Sequence, residues 1–194
     1  MSPQPNLTFP ATWSAEILSA PPLIAPARQF TWPHRVAGEE DALARGALLL
    51  QVKPASGGSF LATCALGFRD PSALTGVWSC PRPDDLLAVA GGYAYLADTL
   101  VPDRPLHLPL RPVAQVLSSS ESNLLLLAGF HTIAAIGPTG LLWETPRLTW
   151  EGLTLSEIRD GQLHGLGWDM RTDRELPFAV DLATGQHTGG AFHS

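Results

Sequence analysis

The chain is poor in the residues that usually announce a mechanism. Lys53 is its only lysine, charged residues make up 15%, and the formal net charge is -6. Phosphate binding needs a concentrated basic surface, and the arginines are scattered, so nucleic acid is not an expected partner. Only two cysteines occur, Cys64 and Cys80, and neither falls in a Cys-x-x-Cys or zinc-ligand spacing. Two buried thiols in a reducing compartment are expected. His34, His107, His164, His187 and His193 form no His-x-His or His-Glu-x-x-His pattern, so zinc has no support. Ser118-Ser-Ser120 lacks the glycines of a nucleophile elbow, and no lysine follows Ser56-Gly57-Gly58, as a phosphate loop requires. The acids between Glu151 and Asp181 match no calcium loop and read as a solvated surface, with Asp160 and Asp181 used in turns. No cofactor is expected. The longest aliphatic run, Leu124 to Phe130, is far too short to span a bilayer. Residues 1–13 have no basic region followed by an apolar stretch, so the expected location is cytoplasmic.

What the chain has in quantity is breakers and apolar residues. Gly and Pro each occur 18 times, and apolar residues reach 45%. Such a composition leaves little room for long helices and favours short strands joined by many turns. One beat runs through it. Leu49, Leu87, Leu125 and Leu163 stand 38 residues apart, and Gly91, Gly129 and Gly167 keep the same interval. A period near 40 residues is the mark of a supersecondary unit copied along the chain.

The units are not uniform. Residues 1–46 are interrupted by proline from Pro3 to Pro33 and are expected to form an extended arm at a sheet edge, because proline lacks an amide donor. Trp13 and Trp32 are expected to anchor that arm, the other reading being an exposed patch. Glu39 to Arg45 is the only helical stretch predicted, ended by Gly46. Residues 47–194 are expected to form a repeat-built β domain of about four units. Turn signals recur there: Ser120 to Asn123 and Arg159 to Gly161 each precede a marker leucine. Thr75-Gly76, Thr139-Gly140 and Thr184-Gly185 make a second set, and Trp-x-x-Pro-Arg follows two of these, at Trp78 and Trp143. Trp78 and Trp143 are expected to pack between neighbouring sheets.

Ala134-Ala-Ile-Gly-Pro-Thr139-Gly140-Leu-Leu-Trp143 resembles the repeat of quinoprotein-type β-propellers, in which a strand turns at Thr-Gly and returns through a strand carrying Trp. Ala179-Val-Asp181-Leu-Ala-Thr184-Gly185 fits the first half, with the Asp in place and the following Trp absent. The resemblance implies architecture alone, since no cofactor-binding set of that family is matched. The expected fold is all-β, made of repeated antiparallel hairpins in a small or partial β-propeller-like arrangement. A β-sandwich sealed by the arm is the alternative.

Two residues past each repeating glycine stand Tyr93, His131 and Asp169. One reading brings them to one rim as a small polar ligand site, or as an acid–base pair with Asp169 orienting His131. The other leaves them as turn-flanking residues between strands. The expected function is a non-catalytic binding or protein-interaction module, with a protein partner or self-association. The alternative is a small hydrolase or lyase using Tyr93, His131 and Asp169.

Overall fold

The computed structural model describes residues 4–33 and 42–192. Residues 39–41 of the predicted helix, and His34 and His193, lie outside the described residues. Ala42–Arg45 form one 3-10 turn, ended by Gly46 at φ 107°. The protein is all-β, as its breaker content predicts, and its strands fall into four sheets of four. None of the four sheets closes on itself. Among the described residues no helix is long and apolar enough to cross a membrane. The chain divides into two compact units at Pro112.

The first unit begins with β1 (Trp13–Leu18), β2 (Arg28–Trp32), β3 (Ala47–Pro54) and β4 (Phe60–Ala65). They lie in the order β1-β3-β4-β2, with β2 parallel to β4 and the other pairs antiparallel. The arm thus supplies both edges of this sheet, where missing proline donors cost least. Trp13 and Trp32 are buried, and their indoles donate to the carbonyls of Asp85 (3.0 Å) and Pro102 (2.8 Å). They anchor the arm, and burying each large ring contributes about 2–3 kcal/mol. The domain expected to begin at residue 47 therefore shares its first sheet with the arm.

The second sheet is a meander of β5 (Gly76–Ser79), β6 (Asp85–Ala90), β7 (Tyr93–Asp98) and β8 (Leu106–His107). Backbone atoms of Asn6 bridge to Val77 and Ser79 on its edge strand β5. Leu50, Val52, Phe60 and Ala62 of the first sheet share one core with Leu86, Ala88, Tyr93 and Tyr95 of the second. Cys64 and Cys80 are buried and unbonded, and burial pushes both thiols well above their usual range.

The second unit consists of two meanders. One holds β9 (Gln115–Ser119), β10 (Leu124–Ala128), β11 (Ile133–Gly137) and β12 (Gly140–Glu144). The other holds β13 (Glu151–Arg159), β14 (Gln162–Asp169), β15 (Arg174–Asp181) and β16 (His187–Gly189). Leu124, Leu126 and Ile133 pack with Leu153, Leu163, Phe178 and Val180.

The leucine beat has a structural meaning. Leu49, Leu87, Leu125 and Leu163 fall on β3, β6, β10 and β14, the second strand of each sheet in spatial order. The last three are fully buried and Leu49 is half-buried. Two of the repeating glycines mark close approaches: a Cβ on Gly91 would sit 2.5 Å from the Phe68 carbonyl, and one on Gly167 would sit 2.8 Å from Thr149 Cβ. The turn motifs are less faithful. Thr139-Gly140 and Thr184-Gly185 join third and fourth strands, whereas Thr75-Gly76 leads into a first strand. Trp78 lies on the first strand of its sheet and Trp143 on the fourth, so the two Trp-x-x-Pro-Arg copies are not structural equivalents. Gly76 to Ser79, within that first copy, opens the second sheet by pairing with β6.

Candidate functional site

The second and third strands of each sheet are joined by a hairpin tip, and the four tips differ in what they display. In the first unit they are residues 55–59, built of Ala, Ser and Gly, and Gly91-Gly92. In the second unit they are Gly129-Phe-His-Thr132 and Met170-Arg-Thr-Asp173, which carry bulky and charged side chains. Phe130 (43%) and Met170 (54%) are exposed large apolar side chains at these tips.

Around these two tips the second unit assembles an arginine–aromatic cluster. Arg147, on the connection from β12 to β13, donates from Nε to the Thr149 carbonyl (2.9 Å) and from Nη2 to the Trp150 carbonyl (2.6 Å). The same Nη2 lies 3.5 Å from His131 Nδ1. The Arg147 guanidinium sits over the Trp150 ring (5.5 Å) and the Phe192 ring (5.1 Å), while Arg171 lies 5.9 Å from the Trp150 centroid. The two rings pack at 4.8 Å. Among the described residues the ion pairs involve Arg82, Arg104 and Arg159, and neither Arg147 nor Arg171 has a carboxylate partner.

Asp169 belongs to the same neighbourhood and is spent on its own turn. Its carboxylate accepts from Thr172 Oγ1 (2.7 Å) and from the Arg171 backbone amide (3.2 Å). The Thr172 hydroxyl first, then the turn amides and the Trp150 indole, hold its pKa below the ordinary carboxylate range. The indole does not reach full hydrogen-bond geometry, and Trp150 Nε1 is a buried donor with no partner. His131 is oriented by Arg147 instead of by a carboxylate; no hydrogen bond joins it to Asp169 among those of the described residues.

Tyr93 lies in the first unit, on β7, and is buried. Its ring meets the guanidinium groups of Arg45 (5.5 Å) and Arg111 (5.3 Å) and the His107 ring (4.9 Å). His107 also stacks on Tyr95, whose hydroxyl donates to the Ala65 carbonyl (2.7 Å). Of the three sequence candidates, His131 and Asp169 therefore join one cluster in the second unit, and Tyr93 packs in the first unit's core.

Sequence reasoning missed the residues that complete this surface: Phe130, Arg147, Trp150, Met170, Arg171 and Phe192. Arg147 ends a noticed motif, and Phe130 and Met170 adjoin the candidate positions. What the sequence did not show was the convergence of two tips and a connection. An open cleft of about 400 Å³ adjoins the cluster through Pro146, lined by Glu144, Pro146, Thr184, Gly185, Gln186 and His187. Glu144 accepts from Thr132 Oγ1 (3.1 Å), and His187 Nε2 lies 3.4 Å from the Phe192 carbonyl oxygen. Among the described residues no group of three or more His, Cys, Asp or Glu converges as a metal site.

No protein-family model matches the chain, and no curated protein matches it.

Proposed function

We propose that this protein is a non-catalytic binding module, presenting the rim of its second unit to a protein partner. One observation carries the reading: His131 and Asp169 are each committed to holding the surface together. Asp169 closes its own turn, and His131 sits against Arg147. General acid–base work requires a base within reach of its orienting group. The hydrolase or lyase alternative, built on Tyr93, His131 and Asp169, therefore has less support. Hairpin tips that expose Phe130, Met170 and Arg171 supply the apolar and cationic groups that interfaces favour.

The sheets are read as units related to quinoprotein-type propeller repeats. The Asp181-to-Gly185 turn supports this: Asp181 accepts from the Thr184 amide (2.8 Å) and hydroxyl (2.7 Å), and Gly185 takes φ 72°. Self-association would supply further sheets, and solution mass tests it. The free thiols Cys64 and Cys80 support a reducing, cytoplasmic setting.

The test pairs affinity capture with turnover assays on ester, glycoside and lyase substrates. A partner retained by the native protein and lost by Arg171→Ala, with no turnover, is expected. Turnover abolished by His131→Ala would overturn the reading in favour of the enzyme.

A further inference from the structure

From the cluster's charge and surroundings we infer that the Arg147–Arg171–Trp150 surface binds a single carboxylate flanked by apolar side chains, as a glutamate in an otherwise apolar segment of a partner protein would present. The inference rests on the binding-module reading and names the chemistry of its ligand.

Three observations carry it. Two guanidinium groups share one indole, and neither has a carboxylate partner among the described residues. Arg147 is also pre-organised: its Nε and Nη2 are held by the Thr149 and Trp150 carbonyls, which fix the guanidinium plane without removing its charge. A fixed guanidinium loses little freedom on meeting an oxyanion. Among the described residues the Arg171 side chain makes one contact, with the Trp150 ring, which leaves its donors available.

The surroundings select the anion. Glu151, Asp173 and Glu175 lie close by in sequence on β13, the tip and β15, and all three are exposed. Their net negative charge, reduced by the exposed Arg174 between Asp173 and Glu175, disfavours phosphate dianions and polyanions more than one monovalent carboxylate. The Trp150 and Phe192 rings lie against the guanidinium groups, and exposed Phe130 and Met170 stand on the adjoining tips. The preferred ligand is thus one charge between greasy neighbours, which matches how interfaces combine a buried ion pair with aromatic contacts.

The experiment titrates the full chain with a capped pentapeptide holding one glutamate between phenylalanine and leucine neighbours. Controls are the same peptide with glutamine, and inorganic phosphate. Binding of the glutamate peptide, about tenfold weaker for the glutamine peptide and for Arg171→Ala, is expected. Phosphate is expected to compete poorly. Arg171→Ala should keep the native melting temperature, because its side chain holds no backbone group. Arg147→Lys serves as a second variant: the charge remains, the planar fork is lost, and affinity should fall. Equal binding of the two peptides, or undiminished binding by Arg171→Ala, would overturn the inference. If captured partners still bind while the glutamate peptide does not, the ligand assignment fails and the module reading stands. Substrate turnover dependent on His131 would remove both.

Discussion

Each unit contains one Trp-x-x-Pro-Arg segment, and the two arginines meet opposite fates. In the first unit Arg82 pairs with Asp85 (3.2 Å) and Asp98 (2.7 Å), so its charge is consumed within the fold. In the second unit Arg147 is held by carbonyls and has no carboxylate partner among the described residues. The hairpin tips differ in the same sense: small residues in the first unit, Phe130, His131, Met170 and Arg171 in the second. The first unit uses Trp13, Trp32 and the backbone of Asn6 to secure a proline-rich arm. The second has no such arm, and its tips carry the larger side chains. On the proposed reading, distant chain segments are stitched together in the first unit, and the sequential meanders of the second carry the recognition surface.

The largest effect should come from the anchors. Trp32→Ala removes a fully buried ring and its hydrogen bond to Pro102, with an expected loss of about 3–5 kcal/mol in urea unfolding. Trp168→Ala, at a half-buried ring in the second unit, should cost markedly less. Equal losses would break the contrast between a stitched and a sequential unit.

Next come the repeating glycines. Gly91→Ala places a methyl against the Phe68 carbonyl at a left-handed φ of 55°, an expected loss of about 3 kcal/mol. Gly167→Ala meets the Thr149 side chain instead and should cost about 2 kcal/mol. Gly161→Ala, in open space at φ 75°, should cost about 1 kcal/mol, from backbone strain alone. Thermal or urea midpoints in that order would show that the beat records close approaches. A ranking with Gly161 first would refute it.

The Arg82 network gives a pH signature peculiar to the first unit. Burial raises the Asp85 pKa to about 6, Arg82 opposes the shift, and Asp98 and Asp84 add to it. The folded form therefore takes up a proton before the unfolded chain does, near pH 3.9. Asp85's contribution is fully present below the unfolded pKa and is lost as pH rises through about 6. The native protein should gain stability relative to Asp85→Asn as pH falls from about 7 to about 4. A difference that stays flat or moves the other way would contradict it. The smallest effect is expected at Leu23 and Ile24, which stand fully in solvent between β1 and β2. Replacing both with Ser should change stability by less than about 0.5 kcal/mol.

Much of this architecture was legible in the residues. Leu86 to Ala90 and Leu124 to Ala128 are too short for buried helices and are bounded by turn residues, and both became strands buried along their whole length. The prolines placed the arm at sheet edges. The sequence did not reveal that β2 would pair in parallel with β4, 28 residues or more further along the chain, because long-range pairing leaves no local mark. The Trp-x-x-Pro-Arg duplication misled for a related reason: equal text occupied a first strand in one sheet and a fourth in another. At the candidate site, the regular beat pointed to His131 and Asp169. It did not show the arginines that surround them, since Arg147 and Arg171 arrive from a connection and a tip outside the period. Tyr93 kept the beat and entered a core.

The decisive measurement is a residue-resolved NMR titration of the full chain with the glutamate-bearing peptide, following arginine Nε–H and tryptophan indole signals. Shifts at Arg147, Arg171 and Trp150, with Arg45, Arg111 and Trp32 unmoved, are the expected result. Shifts centred on the Tyr93 cluster of the first unit, or none in the second, would contradict the division of labour between the two.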